Sequence, residues 1–197
     1  VARPTTGADR RIEILKSAAA AFRRRGYHGA SVDEIASALE MTKGNLYYYF
    51  ENKEEILFAC HDYSLDVLLG LMDEVRADAS RADDKLRSLI LAFVHVMLDE
   101  LRGTALTLDL QALSPALLKR VIAKRDRFDR GLREIIQQGM DEGLFRPGDA
   151  KMIGFAIMGA VNWITKWFDP AGPMSSDQIG QRFADYLVGG LLVDGAQ

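Results

Sequence analysis

The apolar residues of this 197-residue chain recur at spacings of three and four almost from end to end, and no long stretch alternates with a period of two. A strand throws successive side chains to opposite faces, whereas a helix returns to the same face every 3.6 residues. The pattern therefore predicts an all-α fold of about nine packed helices. Ile12, Leu15, Ala19 and Phe22 form the first stripe, on a helix from about Asp9 to Arg25. Gly26 ends it, because glycine enters the left-handed conformation after a helix without steric penalty. Ser31-Val-Asp-Glu34 reads as a capping box, hydroxyl and carboxylate each satisfying a free backbone N–H, and opens a short helix reaching Leu39. Thr42 caps another, Lys43 to about Phe50, and Asn52-Lys-Glu-Glu55 opens a long one running to about Ala79.

Further helices follow the same rule. Leu86, Leu89, Ile90, Phe93, Val94 and Met97 share one stripe between about Asp83 and Arg102, and a shorter helix covers Thr104 to Leu113. Ser114-Pro115 begins the next, with Pro at the favoured first position, and Gly143 terminates it after Glu142. Two last helices, Ala150 to Phe168 and Ser175 to Val193, flank the breaker segment Asp169-Pro-Ala-Gly-Pro173.

Composition narrows the class. No run of 18 apolar residues occurs, so no membrane span is predicted. The opening VARPTTGADRR lacks the apolar core of a secretory signal, and a cytoplasmic protein is expected. A lone cysteine, Cys60, excludes an internal disulfide framework and a cysteine-cluster zinc site. His28, His61 and His95 are scattered, with no H-E-x-x-H, no G-x-S-x-G and no phosphate-binding glycine loop. Cys60 and His61 are neighbours, but adjacent helical residues point about 100° apart and make a poor nucleophile–base pair. Neither an enzyme nor a cofactor or metal is expected.

Net charge, at −3, does not announce an anionic partner. Its distribution is more informative: residues 1–55 hold nine Lys/Arg against eight Asp/Glu, and seven of those nine lie between Arg3 and Arg25. Such an asymmetry suits nucleic acid, as it also suits an ordinary solvated helical face.

Two short helices joined tightly, Ser31–Leu39 and Thr42–Phe50, have the shape of a helix-turn-helix, whose second helix enters the major groove. A packed pair of helices without a ligand, a helical protein-interaction module, is the competing reading. The residues favour the first. Ile35, Ala36 and Leu39 with Leu46 and Phe50 make an apolar seam, leaving Thr42, Lys43, Gly44, Asn45, Tyr47 and Tyr48 on the other side. Those groups suit phosphates and base edges. Gly44 is a poor helix former, which suggests a close backbone approach there. Three consecutive tyrosines, Tyr47 to Tyr49, cannot all be buried on one face. Lys53 opens the following helix, where its charge and free N–H groups can hold a phosphate.

These residues resemble a known signature. Arg11-Ile12-x-Ile14-Leu15 with Ala18-Ala19 and Phe22, Gly26-Tyr27, Ser31-Val32-x-x-Ile35-Ala36, and Thr42-Lys43-Gly44-x-Leu46-Tyr47-x-Tyr49-Phe50-x-x-Lys53 are similar to the DNA-binding region of TetR-family transcriptional regulators. The likeness covers about the first quarter of the chain. It implies a helix-turn-helix domain over residues 1–53 and a ligand-binding and dimerisation domain over 54–197, forming a homodimer on palindromic double-stranded operator DNA. Carried over by position, it implies DNA contacts from Thr42, Lys43, Gly44, Asn45, Tyr47, Tyr48 and Lys53, with Arg10 and Arg11 at the duplex backbone or a minor groove. Tyr49 stands where the family often has His, and Glu40 where Gly is frequent. A left-handed Glu40 would cost about 1 kcal/mol relative to Gly.

For the larger region the residues say less. Gly154, Ala156, Gly159 and Ala160 on one of the last helices, and Gly180, Ala184, Gly189 and Gly190 on the other, permit close packing within the chain or across a two-fold interface. Phe93, Met97, Leu101, Leu110, Phe128, Ile135, Phe155, Met158, Trp163 and Trp167 are candidates for an apolar pocket or for ordinary core. Lys119 to Arg133 carries Lys119, Arg120, Lys124, Arg125, Arg127, Arg130 and Arg133 against two Asp, either a solvated face or an anion site. Gly139-Met-Asp-Glu-Gly-Leu-Phe-Arg-Pro147 and Trp163-Ile-x-Lys166-Trp167-Phe-x-Pro-x-Gly-Pro173 are loosely similar to family members that sense acyl-CoAs in lipid, sterol and aromatic-acid degradation. That resemblance implies an acyl-CoA effector; the alternative within the family is a multidrug-efflux repressor sensing hydrophobic or cationic drugs.

Overall fold

In the computed structural model of the chain, residues 7–100 and 109–193 are described, and all their regular elements are helical. The first helix, α1, is Gly7–Gly29, with a break at Gly26 where the backbone turns to φ 70°. The helix proper thus stops at the predicted glycine, and one further turn follows. Then come α2 (Val32–Ser37), α3 (Lys43–Tyr47) and α4 (Lys53–Ala77). After them lie α5 (Ala82–His95), a π-helical turn at Val96–Glu100 and a 3-10 turn at Leu110–Ala112. Three more helices complete the order: α6 (Pro115–Asp141), α7 (Ala150–Trp167) and α8 (Ser176–Gly189).

Eight α-helices among the described residues agree with the predicted fold, and the differences have local causes. Expected to reach Leu39 and Phe50, α2 and α3 stop two and three residues earlier. Beyond α2 the chain tightens, Leu39 N–H donating to the Ala36 carbonyl at 3.0 Å, before Glu40 turns left-handed at φ 54°. After α3 the Tyr49 N–H likewise reaches back only three residues, to Leu46, at 3.0 Å. The predicted helix Thr104–Leu113 lies partly outside the described residues; its described end is the 3-10 turn, capped by Asp109.

The described residues fall into two compact units, 7–65 with 109–122 and 66–100 with 123–193. In the first, Ile14 and Phe22 of α1, Ile35 of α2, Leu46 of α3, and Phe50, Ile56 and Leu57 are buried together. Leu65, Leu113 and Val121 belong to the same core. The Ser114 N–H donates to the Glu54 carboxylate at 2.6 Å, which holds that carboxyl below its ordinary range. Cys60 is wholly buried, and desolvation pushes its thiol up to about 12, so it is an inert part of this core.

In the second unit, Leu68, Met72, Leu86, Phe93, Phe128, Ile136, Phe145 and Val188 are buried. Here α5 and α8 pack closely: a Cβ on Gly180 would lie 3.4 Å from Leu91 and Val94, and Arg87 pairs with Asp185 at 2.7 Å. The segment 139–147 is locked by its own geometry. Gly143 supplies a left-handed turn at φ 70°, and a Cβ on Gly139 would collide with the Phe145 ring. Phe145 pairs with Leu192 as an isolated bridge, the Arg146 N–H donating to the Leu191 carbonyl at 2.8 Å.

Candidate nucleic-acid interface

The caps that the sequence predicts set the short helices in place. Ser31 Oγ accepts from the Glu34 N–H at 3.0 Å and Thr42 Oγ1 from the Asn45 N–H at 3.2 Å, each satisfying a donor left free at a helix start. The reciprocal half of the predicted box at Glu34 is replaced: its carboxylate pairs with Arg24 and, at 3.5 Å, with Arg25. Two nearby guanidinium groups outbid one backbone N–H for a carboxylate.

Across α3 the residues divide as expected. Leu46 and Phe50 face the core, whereas Thr42, Lys43, Gly44, Asn45, Tyr47 and Tyr48 are exposed. The two tyrosines are 40% and 85% exposed, far outside what a purely internal role requires. Tyr49 packs partly against the core, its ring edge-on to Tyr48 at 5.4 Å. A Cβ on Gly44 would meet nothing closer than Thr42 Oγ1 at 3.8 Å, so packing within the chain does not require glycine there.

The cations have partners that sequence reasoning missed. Lys43 Nζ donates to Asp33 on α2 at 2.9 Å, which raises its pKa above the ordinary value. Lys53 lies 4.5 Å above the Tyr27 ring, and partial burial lowers its pKa. Arg10 and Arg11, expected at the duplex, turn inward. Arg10 donates to the Leu39 carbonyl at 2.9 Å and pairs with Glu13 at 2.6 Å; Arg11 donates to the Tyr49 carbonyl at 2.7 Å and lies over the Phe50 ring at 4.2 Å. Apart from the Arg10–Glu13 pair, three residues apart on one helix, no one-dimensional signal marks these pairings, since they join residues ten or more positions apart.

The candidates for the ligand site separate. Phe93 and Phe128 are buried with ring centroids 5.7 Å apart, and Met97 is buried in the π-helical turn that follows α5. Leu101 lies outside the described residues. Trp163 and Trp167 are 65% and 45% exposed, and Trp167 also stacks on Phe183 at 6.3 Å. On α6, Arg120 covers the Phe58 ring at 4.3 Å, Lys124 pairs with Asp66 at 2.6 Å and Arg127 with Asp73 at 2.7 Å. Much of the basic run is thus an ion-paired helical face.

The last two helices also sort their small residues. Gly154, Gly180 and Ala184 are buried, whereas Ala156, Gly159 and Gly189 are exposed. Exposed Met152, Phe155, Ala156, Gly159, Trp163 and Trp167 follow one another along α7 at spacings of one to four residues, a stripe that sequence reading divides between pocket and interface. Nothing lies within 4 Å of a Cβ placed on Gly159 or Gly189.

Comparison with known proteins bears on both ends of the chain. Residues 14–60 match the family described as "Bacterial regulatory proteins, tetR family", and residues 79–191, more than half the chain, match "Tetracyclin repressor-like, C-terminal domain". The HTH-type transcriptional repressor KstR2 of Mycolicibacterium smegmatis is 28% identical over 193 residues, covering 95% of this chain and 93% of that one. The solved ketosteroid transcriptional regulator KstR2 of Mycobacterium tuberculosis shares the fold at a TM-score of 0.86 and 24% identity, over 96% of this chain and 98% of that one. AibR, in a complex with isovaleryl coenzyme A and operator DNA, is 30% identical with a TM-score of 0.72, over 92% of this chain and 98% of that one. These matches concern regulators rather than enzymes. Exposed recognition-type residues on α3, an all-helical fold and two family matches in the right order converge, and the chain belongs to the TetR family of DNA-binding transcriptional repressors.

Proposed function

We propose that this repressor grips a palindromic operator as a homodimer through the exposed face of α3, and that an acyl-CoA thioester loosens the grip. The observation that carries the first half is that face itself: Thr42, Lys43, Gly44, Asn45, Tyr47 and Tyr48 exposed together beside Lys53 at the start of α4. Lys43 and Lys53 meet phosphates, Asn45 reads a base edge, and Gly44 lets the backbone approach the groove. Residues 1–53 do the reading, and 54–197 bind the effector and the second subunit. A protein acting on operator DNA would do so in the cytoplasm.

The second subunit sits on the exposed stripe of α7 with Tyr186 and Gly189 of α8, an apolar surface whose unfilled glycines admit another helix closely. A two-fold axis then spaces the two α3 helices by about one turn of DNA, 34–36 Å, or a multiple of it. The effector class rests on the AibR complex with isovaleryl coenzyme A and on the likeness to KstR2. Phe93, Met97 and Phe128 supply an apolar interior suited to the acyl group. Lys124 and Arg127 would exchange their aspartates for the nucleotide's phosphates, a small cost because exposed ion pairs contribute only about 0–1 kcal/mol. Because AibR holds coenzyme A ester and operator together, the effect is read as a change in affinity rather than as exclusion.

The test is fluorescence anisotropy of the protein with DNA from its own upstream region, across a salt titration. Lys43→Ala and Lys53→Ala should each weaken binding and shallow the salt dependence. Unchanged affinity and slope for both would overturn the DNA-contact assignment. Acyl-CoAs should weaken operator binding while free coenzyme A and free acids do not; calorimetry of an acyl-CoA panel without binding would remove the effector reading.

A further inference from the structure

We infer that Arg10 and Arg11 are positioning residues that hold the recognition helix at its working angle, and that neither spends its charge on DNA. This inference rests on the operator reading for its consequence but on geometry for its substance. A helix of five residues such as α3 has almost no hydrogen-bonding ladder of its own, since its first four N–H and last four C=O groups lack intrahelical partners. It is also far below the length at which a helix persists alone. Its orientation must come from outside. Leu46 and Phe50 anchor it on the buried side, but apolar contact alone is non-directional.

Beyond the exposed Lys43–Asp33 pair, the directional contacts come from two consecutive residues of α1. Neighbouring helical side chains diverge by about 100°, so one pair can reach two different elements. Arg10 takes the Leu39 carbonyl, the last group before the left-handed residue Glu40 in the turn between α2 and α3. Arg11 takes the Tyr49 carbonyl, two residues past the end of α3, and lies over the buried Phe50 ring at 4.2 Å. The two guanidinium groups therefore brace the chain just before α3 and just after it. A cation at spent helical carbonyls is favourable in itself, because the C-terminal ends of helices carry partial negative charge. Stacking plus hydrogen bonding is also specific to a planar guanidinium, which a lysine ammonium does not reproduce.

Two measurements on the full chain separate this role from a phosphate contact. In Arg11→Ala, operator affinity should fall about tenfold or more while the salt slope stays that of the unaltered protein. Arg11→Lys should lose nearly as much, whereas a phosphate contact would tolerate it. Without DNA, hydrogen exchange of the amides from Leu46 to Phe50 should quicken about tenfold in either variant, as the free energy of local opening falls. A slope reduced by about 0.9 per phosphate, with exchange unchanged, would mean direct contact and overturn the inference. Unchanged affinity would overturn it too. Should Arg11→Ala not fold, Arg11→Lys and Arg10→Lys carry both readouts. If the unaltered protein binds no upstream DNA, the operator reading fails, while the exchange measurement still decides the brace.

Discussion

Gly44 and Glu40 break the local rules of their elements in opposite ways. Glycine weakens a helix, yet Gly44 has a right-handed backbone and room for a methyl group beside it. Gly44→Ala should therefore raise stability by about 0.5–1 kcal/mol. On the proposed operator contact the same change should weaken binding, because the methyl group would stand on the face assigned to DNA. Thermal unfolding and operator affinity would move in opposite directions; a loss of both would mean that packing, not DNA, needs the glycine. Glu40, at φ 54°, carries a left-handed backbone that a Cβ resists. Glu40→Gly should gain about 1 kcal/mol, a rise of about 2–4 °C in the unfolding midpoint for a chain of this size. An unmoved midpoint would show the strain to be relieved elsewhere. Both residues were legible in the sequence, Gly44 because glycine is out of place inside a short helix and Glu40 because the resembled family often has glycine at that position. Their partners were not. Asp33 under Lys43 and Tyr27 under Lys53 depend on how separate helices meet, which no periodicity records.

At the scale of elements, the caps and the faces were foreseeable while the ends of the two short helices, α2 and α3, were not. Ser31, Thr42 and Asn52 all accept the backbone donors expected of them, because a cap is a local bargain between neighbours, and Ser175 does the same at α8 although the sequence reading marked it only as a helix start. The Gly139–Pro147 stretch illustrates the opposite case. Read as a mark of the ligand class, it has a structural cause: Gly139 leaves space for the Phe145 ring, and Gly143 turns the chain. Between α2 and α3, the Asp33–Lys43 pair holds the lysine on protein while a phosphate must compete for it. Asp33→Asn should free Lys43 and tighten operator binding about two- to fivefold at low salt, the gain fading as ions screen the pair. Weaker binding by the Asn variant at every salt concentration would instead give Asp33 a role in placing Lys43.

For the whole molecule, the exposed stripe of α7 sets the next prediction. Gly159 has open space around it in one chain, so Gly159→Leu costs little in a lone subunit. If a second copy packs there, the leucine collides with it. Sedimentation should show the variant as monomer where the unaltered chain is dimer, with helical content preserved and operator affinity sharply reduced. A dimer of unchanged stability would place the interface elsewhere. Small and large apolar residues on α7 were visible in the sequence but divided there between pocket and interface; the burial of Gly154 against the exposure of Ala156, Gly159, Trp163 and Trp167 unites them as one outward stripe.

The core beneath the DNA-reading helices is completed by Ile56, Leu57, Cys60 and Leu65 of α4 and by Leu113 and Val121 from far later in the chain. A gene fragment ending after Lys53 would encode the reader without eight of the twenty buried residues of the core it closes upon. Exchange of whole reading heads between relatives by recombination at that point would then yield chimeras that fold poorly. New operators would be acquired by changing the few exposed residues of α3, one substitution at a time, while the body of the protein stays in place.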